Sequence, residues 1–139
     1  MLATVCSRAP FGMQAPPVTI DAHVAAGLPS LAVVGLAEAA VKEAKDRVRS
    51  AVTSCGFLWP PGRVTVSLSP ADLPKDGGRF DLPIALALLA ATCQIPARAL
   101  VPYEFYGELS LGGELRAVRC MLATVDSRLL APLCADIPD

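Results

Sequence analysis

The sequence lacks most of the features that identify a ligand or a compartment on their own. Its 139 residues carry a formal net charge of only −1, so any binding to nucleic acid or acidic lipid must come from a local patch. Its five cysteines are odd in number, widely spaced and contain no CxxC pair, which argues against a disulfide framework and a zinc site. We expect reduced thiols, most of them in the core.

Export and membrane signals are also missing. The first residues lack the basic stretch and long apolar run of a secretory signal. The apolar helix predicted below has about a dozen residues, fewer than the roughly 20 that cross a bilayer. We therefore expect a cytoplasmic protein with no membrane contact. The one histidine, His23, alternates with apolar residues on the polar side of a predicted strand, which indicates a surface residue rather than a catalytic one.

The apolar residues, at 53% of the chain, provide enough material for one globular core. Alternation of apolar and polar residues predicts three half-buried strands: Leu2–Arg8, Val18–Val24 and Arg63–Leu68. A continuous apolar run at Leu31–Gly35 predicts a fourth strand, covered on both faces.

Apolar residues at three- and four-residue intervals predict a long helix from Leu36 to Cys55, and Gly56 provides its stop. Two short runs on either side of Gly112-Gly113 predict a hairpin. A weaker helical pattern predicts a last helix over Met121–Leu133.

The outer surface of the long helix carries charges of both signs. Two pairs have the four-residue spacing of solvated ion pairs: Glu38–Lys42 and Glu43–Arg47. Lys42, Lys45 and Arg49 could instead form a basic stripe for DNA, but the interleaved acids favour the solvated surface.

The most informative stretch is a polar, glycine-bearing loop that runs directly into an apolar helix, residues 69–91. Asp81 is predicted to cap this helix, with Pro83 in its first turn. The residues up to Thr92 leave no polar face, so we expect a helix buried on most sides. The candidate contact residues for DNA or a partner are Lys75, Asp76, Gly77, Gly78 and Arg79.

Three interpretations of this loop remain open. In one, Gly77 and Gly78 only supply a tight turn, and in another Lys75 and Arg79 form an exposed contact site. In the third, Arg79 pairs with Asp76 or Asp81 to hold the turn. Glycines before a helix can also hold phosphate. However, the chain contains no Gly-Lys pair, so it lacks a P-loop and we expect no ATP binding.

The loop resembles part of a protease active site. Its residues Pro74-Lys75-Asp76-Gly77-Gly78 resemble the Pro-Lys-Asp-Gly-Pro-Ser motif of Lon-type proteases, and the stretch 107–113 resembles the segment before the Lon lysine. Arg79 stands where the nucleophilic serine would be, and Leu122 stands about where the lysine would be. Because a serine becomes a competent nucleophile only beside a base, we expect no peptidase activity.

Longer strings are similar to the N-terminal domain of the magnesium chelatase-like AAA+ family, the family of the competence protein ComM, or YifB. The most specific are Ser69-Pro70-Ala71-Asp72-Leu73-Pro74-Lys75 and Arg79-Phe80-Asp81-Leu82-Pro83. The resemblance implies a domain over residues 1–119. At Cys120 a family glycine is missing, so we expect residues 120–139 to be a divergent or truncated segment, with the ATPase module absent from this chain.

The same resemblance implies the fold and the setting. The fold would be α/β (α+β), Lon protease-like and ribosomal-protein-like: a two-layer sandwich of a mixed sheet with helices on one face. The chain would be a non-catalytic domain of a homo-hexameric ATPase that migrates DNA branches during natural transformation. Its partners would be the adjoining AAA+ module and DNA, with ATP and magnesium bound only in the missing module. The alternative is a regulatory protein–protein interaction domain without DNA contact. No residues here provide a porphyrin or magnesium site.

Overall fold

The structure is a computed structural model, and it describes residues 2–9, 15–70, 75 and 78–116. Several predictions from the sequence lie outside these residues. They concern Asp76, Gly77, Leu122, the last helix and the segment 120–139.

Four strands form a mixed sheet in the order β1-β2-β4-β3. They are β1 (Leu2–Arg8), β2 (Pro17–Ala25), β3 (Ser30–Val34) and β4 (Arg63–Ser69). Strand β2 pairs antiparallel with β1 and β4, whereas β3 pairs parallel with β4. The three strands predicted from alternation are confirmed.

Two helices and a small hairpin complete the described fold. The helices are α1 (Glu38–Ser54) and α2 (Asp81–Ala91), with one 3-10 turn at Ala97–Ala99. Strands β5 (Glu108–Leu109) and β6 (Leu115–Arg116) pair antiparallel around the predicted Gly112-Gly113 turn. The mixed sheet and its helices confirm the predicted α/β two-layer class.

The core lies between one face of the sheet and the helices. The buried strand residues alternate and share that face through their register: Ala3, Val5, Val18, Ile20, Ala22, Val64, Val66 and Leu68. All eleven residues of α2 are buried as well. The opposite face carries the polar set that includes Thr4, Asp21 and His23, and the Thr4 hydroxyl donates to Asp21 over 2.6 Å. His23 is exposed, as predicted.

Strand β3 differs from its prediction. A strand covered on both faces was expected, but β3 lies at the edge of the sheet and none of its five residues is buried. The reason is its position, because α2 packs over β1 and β2, at the far end of the sheet. Leu31 and Val33 are half-buried against the core and the residues between and beside them are exposed, so the apolar run is covered on one face only.

Three cysteines also differ from expectation. Cys6 and Cys93 are exposed and Cys55 is half-buried, so none of these is a core thiol. Cys6 is on the solvent face of β1 because it alternates with the buried Val5 and Ser7. Within the described residues, no helix has both the length and the apolar character needed to cross a bilayer.

Candidate functional site

The candidate site is the connection between β4 and α2, residues 70–80, together with the elements that pack on it. Among its described residues, Lys75 and Arg79 are the two cations predicted to be exposed. Both are buried, with relative exposures of 6% and 5%. Of the interpretations left open by the sequence, the one in which Lys75 and Arg79 are exposed is therefore wrong for both side chains.

Lys75 points back into its own loop. Its ammonium donates a hydrogen bond to the carbonyl of Pro70. A buried ammonium needs such acceptors because desolvation of an unpaired charge is costly. Lys75 therefore holds the start of the loop against its middle.

Arg79 lies against an aromatic ring. Its guanidinium carbon is 5.6 Å from the centroid of the Tyr106 ring, within the range of a cation–π contact. The Tyr106 hydroxyl donates to Glu104 over 2.6 Å, and Arg8 Nε donates to the same carboxylate oxygen over 2.7 Å. Arg79 is thus the inner end of a chain of polar contacts that reaches the surface at Arg8 and Glu104.

These contacts shift the ionisation of the chain. The hydrogen bond from Arg8 lowers the pKa of the Glu104 carboxyl, and Glu104 in turn raises the pKa of Arg8. Burial, followed by the hydrogen bond to Glu104, raises the pKa of the Tyr106 phenol. Tyr106 therefore stays protonated as a donor, and Glu104 stays ionised as an acceptor, at neutral pH.

Asp81 has a different role from the predicted cap. The residue at the cap position of α2 is Phe80, and Asp81 is the first residue of the helix, 1% exposed. Its carboxylate accepts from Arg47 of α1, with Nε 2.6 Å and Nη2 3.3 Å from its two oxygens. It also accepts from the backbone N–H of Leu109 over 3.1 Å. Asp81 therefore joins both helices to β5.

The Arg47–Asp81 pair is partly desolvated, and its two pKa directions follow from that. The hydrogen bond to Asp81 raises the pKa of Arg47. Burial raises the pKa of the Asp81 carboxyl, while Arg47 and the N–H of Leu109 oppose this rise. An arginine is the suitable partner here because its two N–H groups can bind one carboxylate in a fork.

A segment that we call the strap, residues 103–109, supplies the missing acceptor at the start of α2. The carbonyl of Gly107 accepts from the N–H of Leu82 over 3.0 Å, and the N–H of Gly107 donates to the carbonyl of Arg79 over 2.9 Å. The strap also follows the outer edge of β1, where the N–H of Phe105 donates to the carbonyl of Cys6 over 2.9 Å. It therefore ties the sheet edge to the first turn of α2.

Gly78 lies beneath the side chain of Glu108 in the strap. A Cβ atom added at Gly78 would come within 2.6 Å of Glu108 Cγ. A side chain at this position would force the carboxylate aside, so the glycine allows loop and strap to approach closely. Of the five predicted contact residues, Lys75, Gly78 and Arg79 face internal partners, and Asp76 and Gly77 are outside the described residues.

The described contacts of this arrangement interlock the loop, the strap and both helices. Arg79, which the resemblance to Lon-type proteases sets at the serine position, is buried against Tyr106. Within residues 2–9, 15–70, 75 and 78–116, no group of three or more His, Cys, Asp or Glu side chains could hold a metal ion.

Of the two ion pairs predicted on α1, one is present. Glu43 pairs with Arg47 at 3.6 Å, but Glu38 and Lys42 form no ion pair in the described part of the chain.

A second polar region lies on the side of α1 that faces away from Asp81. A groove of about 340 Å³ lies beside the helix, and its lining includes Lys45, Arg49 and Trp59. The guanidinium of Arg49 is 5.5 Å from the centroid of the Trp59 ring.

The sequence contained signals for two of these features that the predictions did not use. Asp81 is a lone carboxylate at the start of a wholly apolar helix, and a buried carboxylate requires a cation or several donors. Trp59, the one tryptophan, follows the cation-bearing helix within a few residues of its end. Periodicity alone gives neither the Arg47–Asp81 pair nor the Arg49–Trp59 contact.

Comparison with known proteins places the chain in a family. The family model described as "ChlI: Subunit ChlI of Mg-chelatase" matches residues 20–129. YifB of Escherichia coli (strain K12) is 55% identical over 117 residues, which cover 84% of this chain and 23% of that protein. The competence protein ComM of Haemophilus influenzae is 53% identical over 124 residues, which cover 89% of this chain and 24% of that protein.

A protein of Mycobacterium tuberculosis (strain H37Rv) is 44% identical over 124 residues and is matched over 25% of its length. The chain therefore spans about a quarter of the length of the curated relatives it matches. Because the family model covers well over half of the chain, this protein belongs to the magnesium chelatase-like family of subunit ChlI, with YifB and ComM among its relatives.

Proposed function

We propose that this chain is the non-catalytic N-terminal domain of a ComM-like AAA+ ATPase that acts on DNA. The observation that carries the proposal is the 53% identity to the competence protein ComM of Haemophilus influenzae, over 89% of this chain but only 24% of that protein. ATP and magnesium would bind outside this chain, in the ATPase module. Branch migration during natural transformation would be the activity of the whole homo-hexamer, in the cytoplasm.

The internal contacts of the loop support a non-catalytic role. Nucleophilic catalysis requires a nucleophile within hydrogen-bond reach of a base. Lys75 donates to Pro70, and Arg79 lies on Tyr106, so both cations are engaged in holding the loop. We expect the 139-residue chain to hydrolyse no peptide and to bind no ATP. Peptide hydrolysis that disappears on Arg79→Ala would contradict this part of the proposal.

The loop would dock on the adjoining AAA+ module rather than on phosphate. Burial keeps the charged ends of Lys75 and Arg79 out of reach of a phosphate. This burial also favours the second candidate function, a regulatory protein–protein interaction domain without direct DNA contact. The two candidates differ in whether any surface of the chain binds DNA.

A chimera separates these candidates. In Haemophilus influenzae ComM, the stretch that matches this chain would be replaced by the chain itself, with deletion of that stretch as the control. We expect the chimera to hydrolyse ATP faster when DNA is added and to migrate branches, and the deletion to lose branch migration. A folded chimera whose ATP hydrolysis ignores DNA would support the regulatory candidate. An assembled chimera that hydrolyses no ATP would overturn both.

A further inference from the structure

We propose that the groove between α1, the start of β3 and Trp59 binds a short stretch of single-stranded nucleic acid. The groove has a volume of about 340 Å³, and Ser30, Lys45, Asp46, Arg49 and Trp59 contribute to its lining. That volume is at the lower end of the range for small-molecule sites, about 300–1,000 Å³, so it suits one nucleotide unit rather than a protein domain. This proposal rests on the DNA-acting function proposed above and adds the site of contact.

The first supporting observation is the state of the cations. Neither Lys45 nor Arg49 forms an ion pair with any described residue. They are four residues apart on α1, so their backbones are separated by about 6 Å along the helix axis. Two cations at that spacing can meet neighbouring phosphates of one strand.

The second observation is the aromatic platform. The Arg49 guanidinium lies over the half-buried Trp59 ring at 5.5 Å from its centroid. The planar guanidinium has two faces, and a base can stack on the one that does not face the indole. Stacking of this kind needs an unpaired base, which only a single strand offers without disruption.

The third observation concerns the one acid of the groove. Asp46 would repel phosphate and carboxylate groups alike, so its charge does not select between a nucleic acid and an acidic peptide. A carboxylate can, however, accept a hydrogen bond from the amino group of cytosine. A nucleotide offers a base that can stack on Arg49 and an amino group that can donate to Asp46, and an acidic peptide side chain offers neither.

The experiment uses the 139-residue chain, in which Trp59 is the one tryptophan, so tryptophan fluorescence reports on the groove. Oligodeoxycytidylate would be titrated while Trp59 emission is followed, and a labelled oligonucleotide would report binding by anisotropy. We expect a saturable emission change, and weaker binding of duplex DNA and of poly-glutamate. Emission that responds equally to poly-glutamate would overturn the nucleic-acid assignment.

Variants test the named contacts. Arg49→Ala and Lys45→Ala are each expected to reduce the salt slope of binding by about 0.7, and Trp59→Ala to weaken binding by about tenfold, because the stacking platform is lost. The matched control is Arg98→Ala, an exposed arginine on the 3-10 turn away from the groove. Equal losses in the control and in Arg49→Ala would overturn the site.

Failure of this site and failure of the proposed function give different results. If the chimera responds to DNA but the groove variants bind the oligonucleotide normally, only the groove assignment is wrong. If the groove variants lose oligonucleotide binding but the chimera ignores DNA, the site stands and the proposed function is wrong.

Discussion

Helix α1 carries cations on two faces, and the two faces differ in what they do with them. On the inner face, Arg47 is 2.6 Å from the buried carboxylate of Asp81. On the outer face, Lys45 and Arg49 form no ion pair with any described residue and line an open groove. A cation that is paired in the interior joins secondary-structure elements, whereas an accessible cation without an ion pair can bind an anionic ligand. In the loop before α2 the described cations Lys75 and Arg79 are thus paired internally, and the outer face of α1 carries the proposed nucleic-acid site.

The largest expected effect tests the inner face. Asp81→Ala leaves Arg47 without its buried carboxylate, so we expect the free energy of unfolding to fall by about 3 kcal/mol. Urea unfolding followed by circular dichroism measures the change. Glu43→Ala is the control, because it removes the exposed partner of the same arginine and should cost about 0.5 kcal/mol or less. Equal losses in the two variants would erase the distinction between the faces.

The next effect concerns Arg79. Arg79→Ala removes a buried cation–π contact with Tyr106, and we expect a loss of about 2 kcal/mol in the free energy of unfolding. Oligonucleotide affinity should stay unchanged, since Arg79 faces the strap rather than the groove. Urea unfolding and anisotropy on the same preparation measure both quantities. If Arg79→Ala weakens oligonucleotide binding and leaves stability unchanged, Arg79 contacts the nucleic acid and the expectation is wrong.

A smaller effect is expected where the inner contacts reach the surface. The pKa of Glu104 is lowered from its ordinary 4.5 in the folded state, chiefly by the hydrogen bond from Arg8. The folded state therefore binds fewer protons, and stability falls as the pH drops below the ordinary value and through the lowered one. Because both side chains are over a third exposed, at 36% and 37%, the loss should be below about 1 kcal/mol.

This pH dependence is measured by urea unfolding at a series of pH values, with Glu104→Gln as the reference. The variant should lose the part of the acid dependence that comes from Glu104. If wild type and variant change in parallel as the pH falls, the Arg8–Glu104 contact does not stabilise the strap.

The smallest effect on stability is expected in the groove. Arg49→Ala removes an exposed cation–π contact with Trp59 and should change the free energy of unfolding by about 0.5 kcal/mol. The same variant should clearly weaken oligonucleotide binding. Arg79→Ala should therefore cost more stability than Arg49→Ala, and Arg49→Ala should cost more binding affinity than Arg79→Ala. A loss of about 2 kcal/mol at Arg49, as large as that expected at Arg79, would show that the outer face is structural too.

The sequence predicts those parts of the fold that depend on neighbours along the chain. Alternation fixes β1 and β4, and the apolar stripe fixes α1, because strand and helix periods act locally. The exposure of β3 follows from its place at the sheet edge, which no local pattern encodes. Arg47 and Asp81 are 34 residues apart, so the four-residue rule finds Glu43 but not the buried partner. Loop composition likewise suggested exposure for Arg79, whose burial depends on the distant Tyr106.

During synthesis, the strap determines when the outer edge of β1 can form its hydrogen bonds. Strand β1 is made before the strap, but its outer edge bonds with Phe105, and the Ser7 hydroxyl donates to the carbonyl of the same residue across 98 positions. At a translation rate of about 5–20 residues per second, the edge of β1 waits roughly 5 to 20 s for its partner. During that time it can pair with another emerging chain. The arrival of the strap therefore shortens the time for which this edge of β1 is open to pairing with another chain.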